Sequence, residues 1–322
     1  MAFAIVVSKM ARINDLLQSS ITRFDRYQRH HKRTGLAYAV IKKYNDDQTG
    51  RWAALFTYYG FLAIFPLLLV LTTALKLFIH NNARLSNQVI HGAITYFPIV
   101  GHELQQDIHG ISKTGLALVI GLLLSLFGAR GVADVLRNSL DHIWQVPRNK
   151  RSGFLSSIGR SLGIIVIGGI GLLVAPLAAD YTLVFGHSFF FRIFSIIVTL
   201  VVLFWVLVFV MKMSLSIHMP FRHIWVGAAI AAVALEILQI LGGYIVAQQL
   251  RNLNSLYGTF AIVLGLLYWI YIQAQVLFYI FEFDSVRVLK LWPRSIQPPL
   301  TAADHQAFDL YINRAKFHDV DE

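Results

Sequence analysis

The sequence predicts an all-α fold, a polytopic helical membrane protein with about six transmembrane helices. Hydrophobic residues make up 56% of the 322 residues and charged residues only 14%, whereas a soluble domain has about 25% charged residues. The mean hydropathy is correspondingly high, at +0.59. The apolar residues also fall in long runs, and about 20 helical residues are enough to cross the roughly 30 Å hydrocarbon core of a bilayer.

Residues 1–51 are predicted to form a basic amphipathic segment ahead of a membrane domain at 52–290. Ten of these residues are Lys or Arg, and apolar side chains recur at helical spacing from Ile13 to Tyr27. Such a helix can lie along an anionic membrane surface. A solvated helix packed on the membrane domain accounts for the same pattern, so both interpretations stay open.

The first span covers about residues 53–79 and contains Pro66. Proline removes a backbone hydrogen bond and kinks a helix, and the freed carbonyl needs another partner inside a membrane. Pro66 is therefore a candidate hinge, with a fixed kink as the simpler interpretation. The loop that follows, 80–113, holds four histidines but no HExxH pattern, so we predict no metal site.

The second span, about 114–129, has only 16 residues, which makes it shorter than a relaxed bilayer core. Apolar residues continue at helical spacing beyond it, so an interfacial helix over 131–144 is predicted to extend it. Arg130 and Asp134 lie at this junction and are candidate interfacial residues. The third span, about 157–179, carries Gly159 and Gly163 four residues apart, and its small-residue side continues with Gly168, Gly171 and Ala175, a pattern of close helix packing.

The fourth span, about 191–213, is almost uniformly apolar, which is typical of a helix that faces lipid. The fifth, about 225–247, carries one acid near its middle, Glu236. An acid at the bilayer centre costs about 2.5–3.5 kcal/mol on insertion scales. Small residues and Gln239 share its helical face, as in a close helix contact or an internal cavity. Glu236 is predicted either to bind a cation, a proton or a lipid headgroup, or only to fix packing.

The sixth span, about 257–283, carries polar and aromatic residues at and beyond its centre, whereas aromatic residues normally lie at the interfaces. Tyr271, Gln273 and Gln275 indicate an internal surface or a cavity wall, and a helix buried among other helices accounts for them equally well. Glu282, at the end of the span, is a candidate interfacial acid. Residues 291–322 are predicted to form a polar tail with one short helix from Thr301.

Six spans place both termini on the same side of the membrane. Of the 28 Lys and Arg residues, 22 lie in segments on that side, 4 on the other side and two within spans. Because positive charge is enriched on the cytoplasmic side, both termini are predicted to be cytoplasmic. The net charge of +11 then follows from this orientation and from attraction to anionic lipid headgroups, and no nucleic-acid partner is expected.

Particular segments of the chain carry a family resemblance. They are Ala53–Pro66 (AALFTYYGFLAIFP), Gly131–Val146 (GVADVLRNSLDHIWQV), ALEILQ around Glu236, Tyr257-Gly258 and Phe281–Ser285. Together they resemble the YihY / virulence factor BrkB family of bacterial inner-membrane proteins over about residues 35–290. Here Ile280 and Phe281 replace small residues of the family's closing motif, and Asp284 replaces its asparagine.

The resemblance implies a multi-pass protein of the bacterial inner membrane. Members of the family are associated with envelope properties such as serum resistance, and one branch with export of lipid A precursors. Some members carry an old ribonuclease BN label. This sequence gives that label no support, because it has no HxHxDH metal cluster and no compact RNA-binding module.

Two functions fit these observations. The first is transport or export of a lipid or amphiphile, indicated by Glu236, Gln239, the polar sixth span and Pro66. The second is a non-catalytic accessory role, in which the same residues fix packing while the basic segments dock on lipid or on a partner protein. An enzyme is not expected, since no converging titratable groups stand out beyond the spans. No cofactor is predicted, and the oligomeric state is left open.

Overall fold

A computed structural model of the chain describes residues 18–78, 115–151, 153, 156–169, 171, 189–257 and 259–315. Across these residues the regular secondary structure is helical, without a strand, which confirms the all-α class. The helices are α1 (18–30), α2 (Lys32–Asp46), α3 (Thr49–Phe78), α4 (Gly115–Ile143), α5 (Ser156–Gly169), α6 (Phe189–Ser214), α7 (Phe221–Tyr257), α8 (Thr259–Val288) and α9 (Ala302–Ala315). A short 3-10 turn follows α4 at Arg148–Lys150.

Three helical segments of the described chain are long and apolar enough to cross a membrane. They are Ile193–Ser214 in α6, Phe221–Gly242 in α7 and Val263–Val288 in α8. α6 also exposes a row of large apolar side chains, Phe190, Phe194, Ile197, Val201, Trp205 and Phe209. Residues three or four apart share one face of a helix, and a contiguous apolar face of this size suits contact with lipid. The chain is thus a membrane-embedded protein.

The helix ends differ from the predicted span ends at several places. α7 continues to Tyr257, well past the predicted end at 247, and α8 starts at Thr259. The short second span and its interfacial extension form one continuous helix, α4. Pro66 lies within α3, which is helical as far as Phe78. The histidine loop, 80–113, and the end of the third predicted span, 172–179, lie outside the described residues.

α8 is the helix around which the others are arranged. It contacts α2, α3, α4 and α7, and α6 packs on α4 and α7. α4 approaches the backbone of α3 closely at Gly128, where a Cβ would lie 2.8 Å from the Cα of Ala63. Around Gly159 of α5, in contrast, a Cβ would meet no described atom within 4 Å. The close packing predicted for the small residues of the third span is found at Gly163 and Gly171, where a Cβ would press on the side chains of Met213 and Val206 in α6, and not at Gly159.

The N-terminal helices and the tail pack together over the end of α8. Gln28 of α1 donates a hydrogen bond to the backbone oxygen of Arg294 (2.6 Å), and Asp25 accepts one from the backbone N–H of Ile296 (2.9 Å). The tail is ordered by Asp304 at the start of α9, which is the short helix predicted from Thr301. A small apolar cluster joins α2, α8 and α9.

Candidate functional site

Three charged side chains meet near the C-terminal end of α8. The Lys43 ammonium donates hydrogen bonds to Asp47 Oδ2 (2.6 Å), Glu282 Oε2 (2.7 Å) and the backbone oxygen of Ile143 (2.8 Å). Lys43 and Glu282 are 0% exposed and Asp47 is 1% exposed. Because an ammonium has three donors, Lys43 is fully satisfied. We refer to Lys43, Asp47, Thr49, Gln145 and Glu282 as the Lys43 cluster.

The local sequence explains how the cluster is assembled. Lys43 and Asp47 are four residues apart at the end of α2, which places their side chains on one face. Thr49 opens α3 immediately after the turn, and its hydroxyl donates to Glu282 Oε1. Gln145, just past the end of α4, donates to Asp47 Oδ1 (3.0 Å). The cluster therefore joins α2, α3 and α4 to the end of α8.

The two carboxylates of the Lys43 cluster set the pKa of Lys43 and the net charge of the cluster. Burial disfavours the charged form of Lys43, but the carboxylates of Glu282 and Asp47 outweigh it and hold the Lys43 pKa above its usual value. One cation faces two carboxylates, so the cluster carries a net negative charge when all three groups are ionised. Nearby, burial and the Arg314 guanidinium lower the pKa of His142 to about 4, so this imidazole is neutral at pH 7.

A surface depression lies between α3 and α8, within the membrane-crossing part of α8. Its volume is about 340 Å³, and it is lined by Ala54, Thr57, Tyr58, Leu267, Tyr268 and Tyr271. Tyr268 and Tyr58 are 66% and 58% exposed. The lining is thus apolar with three phenol hydroxyls, a composition suited to the hydrocarbon part of an amphiphile. We refer to this surface as the tyrosine groove.

One side of α8 connects the tyrosine groove with the Lys43 cluster. Tyr271, Gln275 and Tyr279 are spaced four apart, and Glu282 follows three residues later, so all four lie along one helical face. Tyr44 of α2 packs on this face. Its hydroxyl donates to Gln275 Oε1, and its ring stacks on that of Tyr279 with centroids 3.8 Å apart. A continuous row of polar and aromatic groups therefore leads from the groove to the buried charges.

The remaining candidate residues of the membrane domain lie away from this row. Glu236 is half-buried on α7 and makes no hydrogen bond or ion pair with a described residue. Gln239 lies nearly one turn further along α7, also half-buried. Gln273 is half-buried on another side of α8 from Gln275. The structure thus brings Tyr271, Gln275 and Glu282 onto one face but does not bring Glu236 into the Lys43 cluster.

The two interfacial candidates on α4 form a separate, more exposed group. Arg130 and Asp134 are paired at 3.6 Å and are 58% and 39% exposed. Asp134 also accepts a hydrogen bond from the Ser161 hydroxyl (2.9 Å), and Arg137 donates to the same hydroxyl (3.1 Å). This group fastens α4 to α5. Among the described residues no set of three or more His, Asp or Glu side chains is placed to hold a metal ion.

Reasoning from the sequence missed most of the cluster. Glu282 was a candidate, but Lys43, Asp47, Thr49 and Gln145 were not. The i, i+4 pair of Lys43 and Asp47 was visible in the sequence, yet the basic segment that contains it is polar and has the composition of a solvated helix. Only the contact of α2 with α8 shows that Lys43 is buried.

Comparisons with known proteins agree with the membrane fold. A family model described as Virulence factor BrkB matches residues 40–293. A UPF0761 membrane protein of Chromohalobacter salexigens is 26% identical over 244 residues, which cover 73% of this chain and 58% of the relative. A UPF0761 membrane protein of Alcanivorax borkumensis is 25% identical over 244 residues, covering 73% and 56%. The matched region spans little more than half the length of these relatives. No solved structure matches the chain.

Proposed function

The chain belongs to the Virulence factor BrkB family of membrane proteins, and we propose that it transports or exports a lipid or another amphiphile across the bacterial inner membrane. Such an activity would contribute to the integrity of the cell envelope. The proposed topology has six spans with both termini in the cytoplasm. The excess of Lys and Arg in the segments assigned to the cytoplasmic side supports this orientation. In this topology, three spans are the apolar segments of α6, α7 and α8, and other helices supply the remaining three.

The observation that carries the proposal is the row of groups along α8. An amphiphile needs an apolar surface for its chains and polar groups for its head. The tyrosine groove offers the first at the lipid-facing surface, and Tyr44, Gln275 and the Lys43 cluster lie further along the same face. Ionisable residues within a membrane-spanning helix are costly and commonly mark transport pathways. Glu282 is such a residue, since it lies inside the apolar segment of α8.

A second candidate function is a non-catalytic accessory role, and a specific observation favours it. Every donor of the Lys43 ammonium already has an acceptor within the chain. A closed network of this kind is able to fix helices in place without binding any ligand. The protein would then organise lipid or a partner complex, and the tyrosine groove would hold a bilayer lipid without moving it.

Reconstitution of the full chain into liposomes separates the two functions. We propose measuring inward and outward movement of fluorescent phosphatidylglycerol and phosphatidylethanolamine by dithionite quenching. The critical variant is Tyr268→Ala, which empties one wall of the groove. The matched control is Phe260→Ala on the same helix, because Phe260 is 61% exposed, is also aromatic and lies outside the groove.

Transport predicts movement above that of empty liposomes, slowed by Tyr268→Ala and unchanged by Phe260→Ala. If neither lipid moves faster than in empty liposomes, the transport proposal fails for the common glycerophospholipids and the accessory role is favoured. If both variants slow movement equally, transport stands but the groove is not its path.

A further inference from the structure

We propose that α1 is a membrane-surface anchor that lies on an anionic lipid bilayer through its aromatic and basic sides. Such an anchor would hold the N-terminal part of the chain at the membrane whether or not the protein transports a lipid. α1 packs one side against the rest of the protein and leaves its other sides exposed.

The side of α1 that packs on the protein is polar. Asp25 is 7% exposed and Gln28 is 0% exposed. Gln28 donates to Asp25 Oδ1 (2.9 Å) as well as to the tail backbone. Arg29 pairs with Asp25 (2.6 Å) and donates to the backbone oxygens of Gln297 (2.9 Å) and Pro299 (3.2 Å). A surface helix normally buries its apolar face on the protein, and α1 does the reverse.

The sides that α1 leaves exposed are aromatic and basic. Phe24 and Tyr27, three residues apart, are 49% and 51% exposed. Next to them, Arg23, Arg26 and His30 recur at i, i+3 and i+7 and are exposed. Helical spacing therefore gives an aromatic strip beside a basic strip. The rest of the described chain does not cover the aromatic strip, which is therefore free to contact solvent, lipid or a partner.

The chemistry of the two strips selects a bilayer surface as the occupant. Aromatic side chains are favoured at the depth of the lipid headgroups, and Arg side chains beside them pair with anionic headgroups. The position of α1 agrees with this assignment. α1 is tied to the tail between Arg294 and Pro299, only a few residues beyond the end of the apolar segment of α8 at Val288. This places α1 near the end of a membrane-crossing helix.

The test uses the full chain, which has no cysteine. A spin label on Phe24→Cys reports its surroundings in nanodiscs, either with one third phosphatidylglycerol or with phosphatidylcholine alone. Oxygen collides with labels in lipid, and a nickel chelate collides with labels in water. In the anionic discs we expect collisions with oxygen to dominate, at a depth of roughly 5–10 Å below the headgroup surface.

Charge variants in the same background test the basic strip. Each Arg close to an anionic surface contributes about 1 kcal/mol, so Arg23→Gln with Arg26→Gln should lower the ratio of lipid-bound to water-exposed label roughly 30-fold in the anionic discs. The matched control is Lys212→Gln with Arg222→Gln, two exposed basic residues on α6 and α7. It removes the same charge and should leave the ratio within about twofold.

Three results would overturn the proposal. The first is a Phe24→Cys label that the nickel chelate reaches freely in both kinds of disc. The second is a lipid-bound label that responds equally to the α1 variants and to the control variants, because the basic strip would then have no specific role. The third is a label that neither reagent reaches and that is immobilised only when a disc holds two copies, which would identify a second copy as the occupant.

Discussion

Replacing Lys43 by methionine should destabilise the protein far more than a surface charge change does. Lys43→Met removes the only cation within the Lys43 cluster and leaves two carboxylates, Asp47 and Glu282, that are at most 1% exposed. Removing one partner of a buried ion pair typically costs about 3–5 kcal/mol. Glu282→Gln, in contrast, leaves Lys43 with Asp47 as a neutral pair, and the new amide oxygen can still accept. Its expected cost is about 1–1.5 kcal/mol.

Thermal unfolding in a mild detergent, followed by size-exclusion chromatography after heating, measures this difference. For a chain of this size 1 kcal/mol corresponds to about 2 °C, so Lys43→Met should lower the midpoint by roughly 6–10 °C and Glu282→Gln by about 2–3 °C. Lys32→Met is the control on the same helix, because Lys32 is exposed, and it should shift the midpoint by no more than about 1 °C. The reasoning would be refuted if Lys43→Met matched Lys32→Met, or if Glu282→Gln were the more damaging change.

Further predictions concern pH, helix packing and the tail. The pKa of His142 is about 4 in the folded protein and about 6.5 in the unfolded chain, so the unfolded chain binds the proton first. The free energy of unfolding should therefore fall as the pH drops from about 6.5 to about 4. In chemical unfolding at several pH values, His142→Gln should reduce this dependence on pH. Gly128→Ala should destabilise the protein by about 1–3 kcal/mol, because the new Cβ would press on the backbone of Ala63. Gly159→Ala should be neutral or should stabilise the protein by up to about 1 kcal/mol. The thermal unfolding midpoints of the two variants in detergent measure this difference. Asp304→Asn removes a carboxylate that accepts four hydrogen bonds at one oxygen, so trypsin should cleave the tail at least about tenfold faster; unchanged cleavage would contradict the proposed role of Asp304.

The fold class could be predicted from the sequence because a bilayer imposes one strong requirement. Backbone polar groups in hydrocarbon must be satisfied within a helix, so long apolar runs can only be helices. Helix ends were harder to predict. α7 continues from 247 to Tyr257 through a polar segment, and hydropathy marks where a helix leaves the apolar layer rather than where its hydrogen bonds stop. Glycine spacing predicted the close packing found at Gly163 and Gly171, but it gave no signal for Gly128, which approaches Ala63 on a helix distant in sequence.

The site could be predicted only in part, and the reason is physical. Glu282 is conspicuous because a charge in an apolar run is costly wherever the run lies. Lys43 has no such signal, since a lysine in a basic polar segment usually costs nothing in water. Its burial depends on α2 folding back onto α8, which is a long-range contact. The pairing of Lys43 with Glu282 therefore becomes visible only when the packing of α2 is known.

The position of the Lys43 cluster constrains how α8 can move, whichever function the protein has. Replacing a whole buried ion network by apolar side chains of similar volume is often neutral or stabilising. Stability alone therefore does not require the cluster. Its hydrogen bonds reach α2, the start of α3 and the end of α4 at once, and they hold only one alignment of these elements with Glu282. Sliding α8 by one helical turn would separate the charges within a dry interior. The end of α8 at Glu282 is thus the fixed end. If the protein admits an amphiphile as proposed, we expect α8 to move near Tyr268 and the tyrosine groove instead.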